Sequence, residues 1–361
     1  MRGVGALIVG GGPAGAACVL TLARAGLPHL LIERTAETGD ALCGGFLSWR
    51  TLDRLAALGI DADALNRDRL TEVRLFAGGR VRIAALPRPA LAVSRRRLDT
   101  LLLARAVEAG AAVERGMTVR SVDGARARLG DGTMLAAGTL FLASGKHDVR
   151  GLARPAIARG DDPTLGLRQR LPPGPGLTRL LAGAIELHLF PGGYAGLALQ
   201  EDGGANLCLA VHRSRLTAAG DPAALIAALG RELPALGERL AFADAATPIE
   251  AVANVPYGWR ARRAEPGVVR LGDQAGVIPS LAGEGMGIAL ASGIAAAATY
   301  ARGGPTAMGA WQGRFARTLR RPLAVAGLAR WLGEGPLAPA AVQAAPAALI
   351  EVIARLTRLA A

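Results

Sequence analysis

The sequence predicts an α/β protein, α+β overall, with a Rossmann-like nucleotide-binding domain assembled from both ends of the chain. Residues 5–33 have the pattern of a strand, a glycine turn, a helix and a second strand. A second glycine-rich turn, LGDQAGVIPSLAGEGMGIALASG, lies far along the chain at 271–293. Between them, polar and apolar residues alternate within 157–264, which is typical of antiparallel strands.

The basic composition does not predict a nucleic-acid-binding protein. The chain of 361 residues carries a formal charge of +13, but 41 of its 42 basic residues are arginine and they are scattered. Short clusters occur at 95–97, 260–263 and 320–321, without the interleaved aromatic residues that bind bases. We therefore expect no specific nucleic acid as a partner, and we leave open contact with anionic lipid or a phosphorylated ligand.

Cysteine use and hydropathy predict a cytoplasmic protein. The three cysteines form no CxxC pair, and the apolar N-terminus runs into a glycine turn without the features of a signal peptide. The longest apolar helix candidate, 286–301, is too short to span a bilayer. Peripheral contact with a membrane surface stays open.

The N-terminal turn has the spacing of a dinucleotide site. Gly10, Gly12 and Gly15 form G-x-G-x-x-G directly after the buried strand 5–9. The first glycine permits a tight turn, the second admits a pyrophosphate, and the third lets the helix pack on the strand. Glu33 ends the next strand, where an acid accepts hydrogen bonds from an adenosine ribose. The triplet occurs once, so no second dinucleotide fold is predicted for NAD(P)H.

The second glycine-rich turn predicts a cofactor longer than NAD. FAD extends from its pyrophosphate through a ribitol to a flavin ring, beyond the reach of the first turn. The segment GVVRLGD supplies a strand that ends at Asp273, and AGEGMG supplies a turn that opens a helix. Groups in these two segments could bind the ribitol hydroxyls and the flavin carbonyls, so FAD is the predicted cofactor.

Three segments resemble the para-hydroxybenzoate-hydroxylase-type flavoproteins: GGGPAG…ER, SRRRLDTLLLARA and GDQAGVIPSLAGEGMGIALASG. The third segment contains Gly-Glu-Gly at 283–285. This feature, together with CGGFLS at 43–48, is most similar to the geranylgeranyl-reductase-like branch of these proteins. The resemblance covers about 1–155 and 265–300. It implies that Arg95 reaches the FAD phosphates, that Asp273 binds the ribitol and pyrophosphate, and that Gly285 to Gly287 meet the pyrimidine end of the flavin. The cofactor-binding prediction comprises Gly10, Gly12, Pro13, Ala14, Gly15, Glu33, Arg34, Arg95, Val119, Gly272, Asp273, Gly283, Gly285, Met286 and Gly287.

One departure from the resemblance concerns electron supply. The Asp-Gly pair that hydroxylases of this fold carry after the returning strand is replaced by KHDVRG. Because that pair helps to hold FAD and the nicotinamide donor, direct reduction by NAD(P)H is in doubt. NAD(P)H stays open as a donor but not as a tightly bound group, and a separate electron donor stays open as a partner.

Two residues are the catalytic candidates. Lys146 is the only lysine in an arginine-rich chain, so it could give up a proton or fit a narrow pocket where arginine cannot, or it could lie in a solvated turn. Cys43 corresponds to a cysteine near the flavin in the reductase-like branch, where it could donate a proton or shape the substrate pocket, or it could be a small buried residue. Glu284 could be a structural acid or orient the surroundings of the flavin ring. His188 is expected to face solvent or substrate, and no metal site is predicted.

The predicted domains interleave along the chain. Residues 1–70, 94–156 and 265–305 form the FAD-binding domain, and 71–93 with 157–264 form a substrate domain whose inner face is apolar. The segment TEVRLFAGGRVRIAAL is a hairpin of that sheet, and DPAALIAALGRELPALGERL is one helix. Residues 306–361 form a C-terminal helical segment whose last apolar face packs on the body or docks on a membrane.

The combined pattern predicts an FAD-dependent oxidoreductase acting on a largely apolar small molecule such as a phenolic lipid, a polyketide or an isoprenoid. We favour a flavin monooxygenase. The alternative is a reductase of carbon–carbon double bonds in which Cys43 supplies the proton. A third alternative, from another class, is a non-catalytic lipid carrier on the same fold.

Overall fold

The computed structural model describes residues 2–263 and 265–359. Met1, Ala264 and Ala360–Ala361, which fall within the predicted domain ranges, lie outside the described residues. The described chain contains two β-sheets with helices packed on them. This arrangement confirms the predicted mixed α/β fold.

The strands and helices alternate in the N-terminal third and separate into strand-rich and helix-rich regions afterwards. The strands are β1 (Arg2–Val9), β2 (His29–Glu33), β3 (Phe46–Leu47), β4 (Leu70–Ala77), β5 (Arg80–Ala92), β6 (Val113–Arg115), β7 (Val119–Asp123), β8 (Arg126–Leu129), β9 (Met134–Leu142), β10 (Thr164–Leu171), β11 (Ala184–Phe190), β12 (Gly193–Leu199), β13 (Ala205–His212), β14 (Glu250–Val255) and β15 (Val268–Arg270). The helices are α1 (Pro13–Arg24), α2 (Trp49–Ala57), α3 (Ala62–Leu65), α4 (Arg95–Glu108), α5 (Pro175–Leu181), α6 (Arg213–Ala219), α7 (Pro222–Glu232), α8 (Pro234–Leu240), α9 (Gly285–Gly303), α10 (Met308–Thr318), α11 (Arg320–Gly333), α12 (Ala338–Ala344) and α13 (Ala347–Leu356).

The first sheet joins the two ends of the chain. Its strand order is β6-β2-β1-β9-β8-β7, and β15 also pairs with β9. The pairs β1–β2, β1–β9 and β15–β9 are parallel, and the central strands are buried, as parallel strands covered on both faces require. The second glycine turn follows β15, so it emerges at the same sheet edge as the first turn, which follows β1.

Small residues let α1 and α9 pack closely beside this sheet. A Cβ placed on Gly293 of α9 would lie 2.3 Å from the carbonyl oxygen of Ala14 and 3.0 Å from the backbone nitrogen of Cys18. The helices therefore approach at a distance that only glycine permits. This contact fixes the start of α1 against the C-terminal glycine turn.

The second sheet is mainly antiparallel and follows the order β14-β10-β13-β12-β11-β4-β5-β3. The hairpin expected from TEVRLFAGGRVRIAAL is β4–β5. Helices α5, α7 and α8 cover part of one face of the sheet through a leucine-rich core. Alternate residues of β4 and β11 point to the opposite face, where they line a cavity described below.

Two local predictions were wrong. The helix expected over residues 221–240 is split into α7 and α8, because Pro234 cannot donate a backbone hydrogen bond and its ring clashes with the preceding turn. His188 is buried rather than solvent-facing: its ring stacks on Phe76 at 4.4 Å and its Nε2 lies 3.1 Å from Glu186. Arg239 of α8 covers this pair and donates to Glu186 at 2.9 Å, which makes the cluster structural.

The C-terminal helices α10–α13 return to the body of the protein. Helix α13 packs on β5 and on α11. Within the described residues, no helix alone has the length and apolar composition to cross a bilayer; α12 and α13 reach that threshold only as a pair, with a bend of 108° between them.

Candidate cofactor and substrate site

The first glycine turn has the geometry that the sequence predicts. Gly10 adopts a φ of +107°, which side chains with a Cβ rarely tolerate. A Cβ on Gly15 would lie 1.9 Å from the carbonyl oxygen of Gly10, so the helix can enter the turn only with glycine there. Both residues are therefore required by the backbone of the turn.

The start of α1 offers an anion site. Gly12 precedes Pro13 at the N-terminus of the helix, and no side chain caps the first turn, where backbone N–H groups attract phosphate. The Nη2 atom of Arg95 lies 3.2 Å from the position of a Cβ on Gly12. Asp99 accepts from Arg95 at 2.7 and 3.0 Å; although burial alone would lower the pKa of Arg95, this carboxylate raises it. The charge and the open helix end fit a pyrophosphate.

The adenosine end of the predicted site lies at the end of β2. Glu33 accepts from the backbone N–H of Gly11 at 2.6 Å and from that of Thr35 at 2.9 Å. The N–H of Met117 binds the Glu33 carbonyl oxygen at 3.0 Å, which brings the chain just before Val119 to the end of β2. These contacts hold the Glu33 carboxylate beside the glycine turn, where an acid binds a ribose.

Arg34 and His147 approach each other across this end of the sheet. Their Nη2 and Nε2 atoms are 3.1 Å apart, and the guanidinium donates to the ring. Burial lowers the pKa of His147, and the positive charges of Arg34 and Lys146 lower it further. The imidazole is therefore held neutral and acts as a hydrogen-bond acceptor.

The second turn brings Asp273 next to Lys146. The Nζ atom of Lys146 lies 3.7 Å from Oδ2 of Asp273, and both side chains are partly buried. Burial alone would lower the pKa of Lys146, but the negative charge of Asp273 raises it above its ordinary value. Lys146 is thus a cation at neutral pH; it lies in a turn, and its partly exposed side chain also lines the cavity described below.

Two residues that the sequence analysis missed hold this pair in place. Gln274 is fully buried and donates to the carbonyl oxygens of Gly145 and His147 at 2.9 and 3.0 Å. Arg154 donates to the Asp148 carboxylate at 2.8 Å and to the carbonyl oxygen of Asp273 at 3.2 Å. Gln274 lies inside the recognised motif, whereas nothing in the sequence around Arg154 indicated its role.

The flavin end of the predicted site is the start of α9. This helix begins at Gly285 without a side-chain cap, and a Cβ on Gly285 would meet no atom within 4 Å. Its backbone therefore borders open space. Gly283, Gly285 and Met286 line the same cavity as Cys43.

Glu284 is a structural acid. Its fully buried carboxylate accepts from Ser48 at 3.0 Å and lies 3.4 Å from Nε of Arg358 and 3.8 Å from Nη1 of Arg54. Burial raises the pKa of Glu284, although the two guanidinium groups oppose that shift. The contacts attach the C-terminal end of the described chain to the turn that opens α9.

A cavity of about 370 Å³ lies between the two sheets and the C-terminal helices. The second sheet supplies an apolar wall, which consists of Val73, Leu75, Ile185, Leu187 and Leu189. Helices α11–α13 supply a second apolar wall, which includes Leu332, Val342, Ile350 and Ile353. The third wall contains the predicted site residues Cys43, Lys146, Asp273, Gly283, Gly285 and Met286. The cavity therefore joins the predicted cofactor site to an apolar chamber.

Few polar groups enter this cavity. The Cys43 sulfur accepts from the N–H of Gly45 at 3.5 Å. The hydroxyl groups of Tyr194 and Tyr257 both bind Ser280, and burial raises the pKa of both phenols, so they stay neutral. The sequence analysis missed this hydroxyl cluster. The available signal was the rarity of tyrosine, which occurs only three times in the chain. Within residues 2–263 and 265–359, no group of three or more His, Cys, Asp or Glu residues could hold a metal ion.

Residues 4–132 match the family model of the FAD binding domain. The chain is 32% identical over 124 residues to a chloroplastic geranylgeranyl diphosphate reductase of Nicotiana tabacum; the match spans 33% of this chain and about a quarter (26%) of that protein.

Two solved structures share the fold over nearly the whole chain. A probable FAD-dependent monooxygenase of Pseudomonas aeruginosa, PqsL, has a TM-score of 0.73 and 17% identity, with coverage of 95% of this chain and 100% of that one. A geranylgeranyl bacteriochlorophyll reductase-like protein of Thermoplasma acidophilum has a TM-score of 0.71 and 18% identity, with coverage of 100% and 94%. The prediction of FAD as the cofactor is confirmed. The chain is therefore a flavoprotein that uses FAD; it shares its fold with these flavin-dependent proteins, and residues 4–132 match the model of an FAD binding domain.

Proposed function

We propose that the protein is an FAD-dependent monooxygenase that acts on a largely apolar small molecule. The observation that carries the proposal is the apolar cavity that opens onto the predicted flavin end of the cofactor site. Sheet residues and C-terminal helices surround it, so a bound apolar substrate would exclude water from the reacting atoms. Oxygen transfer needs such a dry pocket, because water promotes loss of the activated oxygen as peroxide.

The residues that would hold FAD are distributed over both ends of the chain. The open start of α1 and Arg95 would bind the pyrophosphate, Glu33 the ribose, and Asp273 the ribitol. The start of α9, at Gly285 to Gly287, would meet the flavin ring. FAD supplies the redox chemistry, and the protein contributes binding, orientation and electrostatics. The Lys146 ammonium, held charged by Asp273, would stabilise negative charge at this end of the cavity.

The substrate would carry one polar group on an apolar body. The hydroxyl cluster of Tyr194, Tyr257 and Ser280 provides neutral hydrogen-bonding groups in a wall that is otherwise mainly apolar. A phenol or carbonyl oxygen could bind there while the rest of the molecule contacts leucine side chains. Phenolic lipids, polyketides and isoprenoids meet this description, and the cavity volume is within the usual range for small-molecule pockets.

Reduction of a carbon–carbon double bond is the second candidate. Cys43 supports it, because its thiol lines the cavity and could donate the proton that such a reaction consumes. The partial similarity to a geranylgeranyl diphosphate reductase also supports it. In either reaction the flavin would be reduced by NAD(P)H or by a separate electron donor.

The test bypasses the electron donor. The flavin of the purified protein is reduced chemically without air, and then ¹⁸O₂ is added with and without apolar phenols. We expect the label to appear in the product. In a parallel anaerobic sample, polyprenyl or enone compounds are added to the reduced protein. Two results together would favour the reductase over the monooxygenase. The first is that an alkene reoxidises the reduced flavin without air, more slowly in Cys43→Ala than in the wild type. The second is that no phenol product carries the label.

Lys146→Met is expected to make the reduction potential of the bound flavin more negative. The reduced flavin carries more negative charge, and the variant removes a cation from that end of the cavity. An interaction of about 1–2 kcal/mol corresponds to roughly 20–40 mV for a two-electron couple. Lys146→Arg should retain most of the wild-type potential. Spectroelectrochemical titration measures the shift, and equal potentials for wild type and Lys146→Met would place Lys146 away from the flavin.

Tyr257→Phe is expected to lower kcat/KM for substrates that carry a hydroxyl or carbonyl group and to leave kcat/KM for their deoxygenated analogues unchanged. Loss of one neutral hydrogen bond in a buried site costs about 1 kcal/mol, so kcat/KM should fall roughly fivefold or more. The comparison of paired substrates separates this effect from a general change in the cavity. An equal decrease for both members of a pair would show that Tyr257 only packs.

A further inference from the structure

Two arginine clusters that are separate in the sequence meet on one surface of the protein. The clusters at 260–263 and 320–321 contribute to a single open cavity of about 460 Å³. We call it the arginine pocket, and its lining residues are Arg260, Arg262, Gly313, Ala316, Arg317 and Arg320. None of them lines the apolar cavity, so the arginine pocket is a separate feature.

The walls of the arginine pocket are fixed by backbone contacts. Arg260 forms an antiparallel bridge with Gly276, and the N–H of Ala261 binds the carbonyl oxygen of Ala275 at 2.9 Å. The guanidinium of Arg260 donates to the carbonyl oxygen of Ala316 in α10 at 3.1 Å. Helices α10 and α11 supply Gly313, Ala316, Arg317 and Arg320. The segment 259–262 is thereby held between the cofactor turn and α10, so the pocket has a defined shape.

The pocket concentrates positive charge without a counter-ion from the protein. No carboxylate lines it, and in the described chain Arg260, Arg262, Arg317 and Arg320 form no salt bridge. Burial lowers the pKa of Arg260, and the charges of Arg262 and Arg320 lower it further.

Buried arginines elsewhere in the protein are paired. Arg168 lies 3.0 Å from Asp40, Arg239 lies 2.9 Å from Glu186, and both side chains are almost completely inaccessible. In the arginine pocket, Arg260 is half-buried and Arg262, Arg317 and Arg320 are exposed, and a bound anion would relieve the repulsion among these four charges.

We propose that the arginine pocket binds a small molecule that carries a diphosphate group. Guanidinium groups donate paired hydrogen bonds that match phosphate oxygens, and four of them balance the charge of a diphosphate. The volume of the pocket, about 460 Å³, suits a small ligand. The same phosphate chemistry could come from a soluble diphosphate ester or from a lipid headgroup, and we assign the soluble ester.

The test titrates the FAD-loaded protein with inorganic pyrophosphate in a calorimeter, at fixed ionic strength and with sulfate as the reference anion. We expect saturable 1:1 binding that is tighter for pyrophosphate than for sulfate. Arg320→Gln should weaken it about tenfold, which corresponds to about 1.4 kcal/mol, because the variant removes one charged hydrogen-bond donor. Arg262→Gln combined with Arg320→Gln should weaken it further. Arg314→Gln is the matched control, because Arg314 is exposed on α10 outside the pocket, and it should stay within about twofold of wild type.

Three outcomes would overturn the proposal. One is the absence of pyrophosphate binding, and another is equal affinity in wild type, Arg320→Gln and Arg314→Gln. The third comes from a parallel sedimentation assay with phosphatidylglycerol vesicles. If the wild-type protein bound these vesicles but not free pyrophosphate, and Arg320→Gln abolished the vesicle binding, the ligand of the pocket would be a membrane surface instead.

Discussion

Gly293→Ala is expected to lower the free energy of unfolding by about 3 kcal/mol, at the upper end of the range for overpacked cores. The new Cβ would lie 2.3 Å from the Ala14 carbonyl oxygen and 3.0 Å from the Cys18 nitrogen. Both are backbone atoms, so no side-chain rotation can relieve the overlap, and α1 must move away from α9. Because the start of α1 and the turn at 272–273 then separate, FAD affinity should fall together with stability.

The matched control for this change is Gly327→Ala in α11. A Cβ on Gly327 would meet no atom within 4 Å, and alanine favours a helix over glycine by about 1 kcal/mol. Urea denaturation of the apoproteins measures both variants. If Gly293→Ala were as stable as wild type while Gly327→Ala gained stability, the close contact of α1 with α9 would be wrong.

Gly12→Val is expected to remove FAD binding and leave the apoprotein folded. Gly12 has φ −68° and ψ −176°, an extended conformation that valine adopts readily. Among the described residues other than its two chain neighbours, only the flexible end of Arg95 would lie near the new Cβ, at 3.2 Å. The side chain would nevertheless occupy the place of the pyrophosphate beside the first turn of α1. The dissociation constant for FAD should rise at least about a hundredfold, which corresponds to about 2.8 kcal/mol.

Gly3→Val is the control for this variant, since a Cβ at Gly3 in β1 meets no atom within 4 Å. Titration of the apoproteins with FAD, followed by the quenching of flavin fluorescence, gives the affinities, and circular dichroism reports the fold. Wild-type affinity in a folded Gly12→Val protein would move the pyrophosphate away from this turn.

The parts of the site that short sequence patterns specify could be predicted from the sequence. The turn at Gly10 to Gly15 depends on contacts within the turn itself. Gly285 begins a helix whose small residues follow it directly in the sequence. Glu33 also lies where the spacing predicts, beside the first turn.

The parts that depend on distant contacts could not be predicted. Arg154 reaches Asp273 across 119 positions, and the C-terminal wall of the cavity requires α11–α13 to fold back over the second sheet. His188 was assigned to an exposed or substrate-facing position because strand alternation does not reveal that Arg239 covers that face. The alternation of residues along a strand shows which side chains share one face of the sheet. Which helix covers that face depends on tertiary contacts that the alternation does not reveal.

A crystal structure of the FAD-loaded protein tests the central claim most directly. The claim is that one cofactor site is built from both ends of the chain and opens onto the apolar cavity. We expect the pyrophosphate at the start of α1 beside Arg95, Asp273 on the ribitol, and the flavin ring between Gly285 and the cavity that Cys43 and Lys146 line. FAD held only by the first glycine turn, with its ring outside that cavity, would contradict the account.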